Sequence, residues 1–400
     1  MIPWNNLYSE RSRLTHSNLV SGSSDFSIQL AAGYPDPSLF PLQELHAVTA
    51  AFSDMNDTSV LQYNSPGGFE PLREVISEKS RKTSLSNILV THGSQQGLDL
   101  LAKLLLNRGD TVIVEAPTFH GALWVFESAE AKVVSIPVDS QGMDVDALEN
   151  YLRSHSGVNQ PKLIYTIPTF HNPTGATMPL ERRLELIRIS ETYSIPIVED
   201  APYNELWFDS EPPPTLLDLG DTGQVLHLGT FSKTLCPSFR VGWLTAPEEV
   251  ISKCLHFKHI ADTCSNGFIQ QVVHRLHLNG HLQNNIQRAQ KLYRSKRDAL
   301  TDAVKRIRSD DLGYHEPQGG FFAWLELGTF ISGELLQEEA RKRGVLIAAS
   351  PMFYLGREGA SSACRITFSY PTESEISKGI HILGEIIKNH KVRDGVVWKT

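Results

Sequence analysis

Between residues 88 and 245 the chain alternates short apolar, β-branched runs with stretches whose apolar residues recur at helical spacing. Unbroken apolar runs of that length are strands covered on both faces, and the i, i+3, i+4 stretches are helices with one buried side. The pattern predicts strands over Ile88–Thr91, Thr111–Glu115, Lys132–Ile136, Lys162–Thr166, Ile197–Glu199, Val225–Gly229 and Gly242–Thr245. Between them it predicts helices over Gln95–Asn107, from Gly121 onward, over Asp144–Ser154 and over Leu180–Tyr193. That βαβ rhythm implies an α/β core in which a mixed, mostly parallel sheet is sandwiched by helices.

The ending has a different character. A long helix over about Asn284–Ser309, with Leu292, Leu300, Val304 and Ile307 on one side, leads to strands Phe321–Glu326, Val345–Ala348 and Arg365–Ser369 and helices Gly333–Arg343 and Glu373–Asn389. These predict a smaller α+β domain. The expected division is an N-terminal segment, 1–48, joining the small domain, a large domain over 49–290, and a C-terminal small domain over 291–400. The first 30 or so residues are polar and weakly periodic, and are expected to be mobile or to lie across another surface; Trp4 is their one conspicuous side chain.

Composition narrows the partners. Lys and Arg number 37 against 45 Asp and Glu, a net charge of −8 with no basic block, so a nucleic-acid footprint is not expected. The longest apolar runs, such as Leu104–Leu106 and Val112–Val114, fall far short of a membrane span, and the start of the chain has no secretory pattern. Cys236, Cys254, Cys264 and Cys364 form neither a disulfide framework nor a zinc motif, which points to the cytoplasm. His256 and His259, close to Cys254 and Cys264, read as solvated helix positions rather than metal ligands.

Four segments could carry chemistry. Thr230-Phe231-Ser232-Lys233-Thr234 follows a buried strand, and a lysine desolvated at such a strand end becomes a nucleophilic amine suited to Schiff-base chemistry. Ile197-Val198-Glu199-Asp200-Ala201-Pro202-Tyr203 sets two carboxylates at a strand's C-terminal edge, where open α/β sheets bind ligands. Pro168 to Gly175, containing Asn172, is a turn fixed by two prolines and a glycine. Thr91-His92-Gly93-Ser94-Gln95-Gln96-Gly97 joins a strand to an amphipathic helix, the place where free backbone N–H groups collect a phosphate. It has neither P-loop nor GxGxxG spacing, which favours a simple phosphomonoester over ATP or a dinucleotide.

Taken in order, Gly93-Ser94-Gln95-Gln96-Gly97, Asn172-Pro173-Thr174-Gly175, Asp200-Ala201-Pro202-Tyr203, Ser232-Lys233 and Arg240 resemble the class I/II aminotransferases of pyridoxal-phosphate fold type I. The resemblance runs from about Ile28 to Lys388. Ala32 to Asp36, Tyr63 with Gly67-Gly68, and Gly93 to Leu100 are most similar to the branch of 2-aminoadipate and kynurenine aminotransferases and MocR-type effector domains.

The resemblance implies pyridoxal 5'-phosphate as cofactor, held by Lys233 as a Schiff base, with Lys233 then moving the proton at the substrate Cα. It implies that Asp200 pairs with the pyridinium nitrogen, that Asn172 and Tyr203 bond the ring's 3′ oxygen, and that Phe119 stacks on the ring. Ser94, Gln95, Thr230, Ser232 and Arg240 would meet the phosphate, joined by Tyr63 from a second subunit of a homodimer. Arg365 would clamp the substrate α-carboxylate, and Gly33 would let the substrate approach the backbone.

The function implied is transfer of the amino group of an L-amino acid to a 2-oxo acid such as 2-oxoglutarate, by a ping-pong scheme. The Ser350 to Tyr354 stretch beside the Ala31–Leu39 loop is apolar and aromatic, which leans toward a long aliphatic or aromatic side chain, with a 2-aminoadipate-like one also open. The same cofactor residues would serve an enzyme that diverts the carbanion to cyclisation, elimination or oxidation. A ligand-sensing regulator would require a helix-turn-helix pattern, and none is legible in the 30 or so residues before the core.

Overall fold

A computed structural model describes the chain apart from residues 1, 3, 10, 13–27, 55–57, 81–82, 156, 158–159, 221–222, 310, 356–361 and 394–400. The strands are β1 (Ile28–Gln29), β2 (Ile88–Thr91), β3 (Thr111–Ala116), β4 (Lys132–Asp139), β5 (Gly142–Met143), β6 (Leu163–Thr166), β7 (Ile197–Asp200), β8 (Val225–Thr230), β9 (Gly242–Thr245), β10 (Gly313–Tyr314), β11 (Phe322–Glu326), β12 (Val345–Leu346), β13 (Ala348–Ala349) and β14 (Ala363–Thr367). The helices are α1 (Leu42–Asp54), α2 (Glu70–Ser77), α3 (Ser94–Leu105), α4 (His120–Ser128), α5 (Val145–Ser154), α6 (Leu180–Tyr193), α7 (Leu216–Leu219), α8 (Glu248–Asp262), α9 (Gly267–Leu278), α10 (His281–Lys305), α11 (Gly333–Lys342) and α12 (Glu373–Arg393).

β2 to β9 form one sheet in the order β2-β9-β8-β7-β6-β3-β4-β5. β4, β3, β6, β7 and β8 run parallel, while β9 and β5 are antiparallel to their neighbours. Alternation along each central strand divides its side chains between two covered faces. Val112 and Val114 of β3, Leu163 and Tyr165 of β6, and Val198 of β7 pack with Leu98, Leu101, Phe126 and Ile251 from α3, α4 and α8. Ile113, Ile164 and Ile197 point the other way, onto Leu148, Leu186 and Leu216 from α5, α6 and α7. With both faces buried, these strands read in the sequence as uninterrupted apolar runs.

Local chemistry sets the helix starts. Asp144 caps α5 by accepting from Ala147 N at 2.9 Å, Asn266 caps α9 through Ile269 N at 3.0 Å, and Ser332 caps α11 through Leu335 N at 3.1 Å. α10 carries the chain away from the large sheet. Its Ala289, Tyr293, Leu300 and Val304 join a second core with Ile28, Leu30, Leu325, Ile366, Ile380 and Leu383, so residues near both ends of the chain share one interior. That core lies against the sheet β10-β11-β14-β13, all antiparallel, and the parallel pair β1-β12.

Two expectations need correction. The single strand over Val345–Ala348 is two short strands: β12 pairs with β1, and after Ile347 β13 pairs with β14. The chain changes sheets there, so one hydrophobic run serves two ladders. The long helix begins at His281 and ends at Lys305, and Arg308 beyond it has φ +52°. Of the N-terminal segment, Trp4 sits in a short 3-10 turn with 60% of its surface exposed, and residues 13–27 lie outside the described part.

Candidate active site

The ends of β7 and β8 and the loops after β2, β3 and β6 meet the small body around a pocket of about 540 Å³. Gly33, Ser94, Gln95, Phe119, Asn172, Asp200, Tyr203, Thr230, Ser232, Lys233, Arg240 and Arg365 all line it. β3 is followed by β4 on one side, while β6, β7 and β8 extend on the other, so the pocket opens at the carboxyl ends of strands near a reversal of strand order.

Strand alternation decides which of the two adjacent carboxylates faces this pocket. Glu199 projects toward α7, where its oxygens accept from Leu216 N at 2.9 Å, Leu217 N at 3.1 Å and His227 Nδ1 at 2.9 Å. Burial works to raise its pKa, but the His227 bond and charge and the Leu216 N–H outweigh it and hold the carboxyl below its usual range. Asp200, one residue on, projects to the face that carries Tyr165. Its Oδ2 accepts the Tyr165 hydroxyl at 2.7 Å, and its Oδ1 is buried with no partner. Burial pushes Asp200 up to about 6, against the lowering effect of the Tyr165 bond and the charges of His227 and Lys233. An unpartnered carboxylate oxygen aimed into a pocket is a fixed acceptor awaiting a cationic N–H.

Lys233 follows β8, and its Nζ donates to Gly33 O at 3.1 Å. Burial first, then the nearby positive charges of Arg365 and Arg240, pull the amine down to about 8, opposed by Asp200. A substantial free-base fraction at neutral pH makes it a competent nucleophile. Gly33 is glycine for a packing reason: a Cβ there would come within 2.6 Å of Phe322 Cζ.

The start of α3 and Arg240 also line the pocket. Gly93 adopts φ +75° at the start of α3, a conformation that suits glycine, and a Cβ would meet Arg240 Nη2 at 2.5 Å. First-turn N–H groups of a helix have no intrahelical acceptor, so Ser94 and Gln95 bring donors to the pocket. Arg240 Nη2 donates to His92 O at 3.1 Å and its Nη1 lies 3.4 Å from Ser232 Oγ. The Thr230 hydroxyl accepts Ser232 N at 3.1 Å and lies 2.9 Å from Ser232 Oγ, ordering the loop.

Arg365 is a further cation lining the pocket. It is on β14, between β11 and β13, and only 5% of it is exposed. It donates to Asn172 Oδ1 at 2.8 Å and Ala31 O at 2.6 Å, while its Nε is buried without a partner. Phe322 and Phe353 place their rings 4.2 and 4.8 Å from the guanidinium carbon. Burial lowers it to about 10, still fully charged at neutral pH. A buried cation with neutral partners is incomplete until it meets an anion.

Tyr63 is not brought into this pocket by its own chain; it is 80% exposed. Several contributors carry no motif. Tyr165 and Phe322 are read from sequence only as strand residues, and His120 and Trp124 are not singled out by it. Arg183 sits fully buried in the first turn of α6, donating to Met178 O, Pro168 O, Thr169 Oγ1 and Pro214 O, and so ties down the loop that carries Asn172. A basic residue at a helix start, where acids are favoured, is the signal that could have found it.

Residues 28–383 match the family model for aminotransferases of class I and II. The chain belongs to that family. Its members are pyridoxal-phosphate-dependent transferases of fold type I, and this enzyme has that fold. It is 37% identical to aromatic-amino-acid aminotransferase 1 of Thermococcus litoralis, covering 90% of this chain and 88% of the relative. The kynurenine aminotransferase of Pyrococcus horikoshii, solved with pyridoxamine phosphate, superposes with a TM-score of 0.92 at 35% identity over 97% of this chain and 98% of that one. An α-aminoadipate aminotransferase of Thermus thermophilus, complexed with N-(5'-phosphopyridoxyl)-L-leucine, superposes at 0.90 with 30% identity, covering 98% of this chain and all of that one. Among the described residues no helix is long and apolar enough to cross a membrane.

Proposed function

We propose that this transferase uses pyridoxal 5'-phosphate to move the amino group of a neutral, long aliphatic or aromatic L-amino acid to a 2-oxo acid, in two half-reactions at one site. The observation that carries the reading is the pairing, across one pocket, of a buried carboxylate oxygen without a partner and a lysine amine lowered to about 8. When bound, the cofactor supplies an aldehyde that condenses with amines and a ring that accepts the electron pair released at Cα.

The residues fit that group. Asp200 Oδ1 would hold the ring N–H, with Tyr165 keeping the carboxylate turned toward it. Phe119 would cover a ring face, Asn172 and Tyr203 would flank the 3′ oxygen, and Ser94, Gln95, Ser232 and Arg240 would hold the phosphate. Arg365 would orient the substrate by its α-carboxylate, placing Cα against Lys233. Lys233 Nζ, whose lowered pKa of about 8 leaves a free-base fraction at neutral pH, would take the Cα proton and hold it for return. Among the described lining residues the cations are Lys233, Arg240 and Arg365, each already assigned a role, which supports an uncharged substrate side chain. Tyr63 would reach the phosphate of a partner's site in a homodimer. The four cysteines are free thiols, in keeping with a cytoplasmic enzyme.

Mixing the holoenzyme with single L-amino acids in the absence of any oxo acid tests the reading. The expected result is stoichiometric loss of the aldehyde absorbance with formation of the matching 2-oxo acid, reversed by 2-oxoglutarate. Return of the aldehyde form with cyclised, eliminated or oxidised product would instead establish carbanion diversion.

A further inference from the structure

The wall of the pocket holds two carboxamides whose orientation is fixed by the backbone. Gln29, on β1, accepts Ala31 N at 3.1 Å and Ala32 N at 3.4 Å through Oε1. Gln337, on α11, accepts Ala349 N at 2.7 Å through Oε1. A backbone N–H can only donate, so in both residues the atom facing it must be the oxygen, and the amide NH2 is the group left for other partners. Both residues line the pocket, together with Leu346 and Ile347, and Gln29 is the strand partner of Leu346. The same pocket is lined by His120 and Trp124, packed edge to face with ring centroids 4.8 Å apart. His120 Nδ1 is buried without a partner, so the nitrogen this ring can offer the cavity is Nε2. Burial, reinforced by the charge of Arg365, lowers His120 to about 4, and the ring is therefore neutral at physiological pH.

We infer that Gln29 and Gln337 form a donor-only, uncharged subsite that selects amino acids carrying a hydrogen-bond acceptor, such as a ketone or carboxamide oxygen, on an otherwise apolar or aromatic side chain. The inference rests on the transaminase reading and deepens it. A substrate without an acceptor leaves two NH2 groups facing a partly dry wall. A substrate with a second carboxylate brings a charge that no cation of this subsite neutralises. The fixed flips supply the selectivity, because neither glutamine can turn its oxygen to the pocket without stranding a backbone N–H.

The test compares L-phenylalanine with its 4-acetyl, 4-amino and 4-carboxy derivatives on the holoenzyme, reading kcat/KM for the first half-reaction. In parallel, calorimetry measures binding of 3-phenylpropanoate and 3-(4-acetylphenyl)propanoate, which carry no amino group and cannot react. The 4-acetyl compounds are expected to be favoured over the unsubstituted ones by about 3- to 10-fold in both measurements, and over the 4-carboxy amino acid in turnover. Gln337→Leu and Gln29→Leu should each bring the acetyl-to-unsubstituted ratio toward one. Gln337→Glu keeps an oxygen for Ala349 N but replaces the NH2 by an acceptor, and should shift the preference toward 4-amino-L-phenylalanine. A ratio unchanged in all three variants, or a wild-type preference for the 4-carboxy compound, overturns the subsite. Acetyl-selective binding with no 2-oxo acid formed from any substrate would support the subsite and overturn the transaminase reading.

Discussion

Lys233 and Asp200 are displaced from their solution behaviour by the same cause, loss of water, in opposite directions: the amine falls to about 8 and the acid rises to about 6. Burying an ammonium costs stability that the apoprotein does not recover. For a base whose folded pKa is depressed, the penalty is complete below the folded value and gone above the unfolded one. Lys233→Met should therefore stabilise the apoprotein by about 2–3 kcal/mol at pH 7. The gain should fade between pH 8 and 10.5, and urea melts across that range would measure it. The same substitution should abolish turnover. Asp200→Asn leaves the shape of the pocket and removes the anion, and kcat should fall about 100- to 10,000-fold, measured by steady-state kinetics. Arg365→Gln should lower kcat/KM by about 10- to 100-fold, since a charged, forked donor is replaced by a neutral one.

At the scale of elements, the β6–α6 loop that carries Asn172 is held by Arg183 of α6. Arg183, fully buried, bonds three acceptors of that loop and Pro214 O beyond β7. Arg183→Ala strands those oxygens, and should cost about 2–4 kcal/mol in urea unfolding while loosening Asn172 and raising KM. The sequence carried the strands of the large sheet because burial on both faces gives each an unbroken apolar run, and it carried the motif residues because they follow those strands directly. It could not divide Val345–Ala348 between two sheets, since both halves are equally apolar and only pairing separates them. Nor could it reveal Tyr165 as the partner of Asp200. That contact depends on Tyr165 and Asp200 projecting from the same face of the sheet, a consequence of the β6–β7 register that a single strand's sequence does not encode. The Gln29 and Gln337 flips are hidden for a similar reason: each is set by backbone N–H groups that folding alone brings into place.

For the whole molecule, the question is whether one chain makes a complete site. Leu42, Leu61 and Tyr63 are 73%, 77% and 80% exposed. In a homodimer they would be covered, and Tyr63 would serve the neighbouring site. Complementation decides this. Lys233→Ala and Tyr63→Ala homodimers should each be impaired, and mixed, re-equilibrated dimers should regain activity, because one of their two sites then has both residues intact. Absence of recovery would confine each site to its own chain. The central claim, that nitrogen passes from one carbon skeleton to another through this pocket, is tested most directly with a 15N-labelled amino donor and unlabelled 2-oxoglutarate, following the label by mass spectrometry. Label recovered in glutamate, mole for mole with the donor's 2-oxo acid, is the result predicted. Label recovered as free ammonium, or retained in a product of the donor's own skeleton, would contradict it.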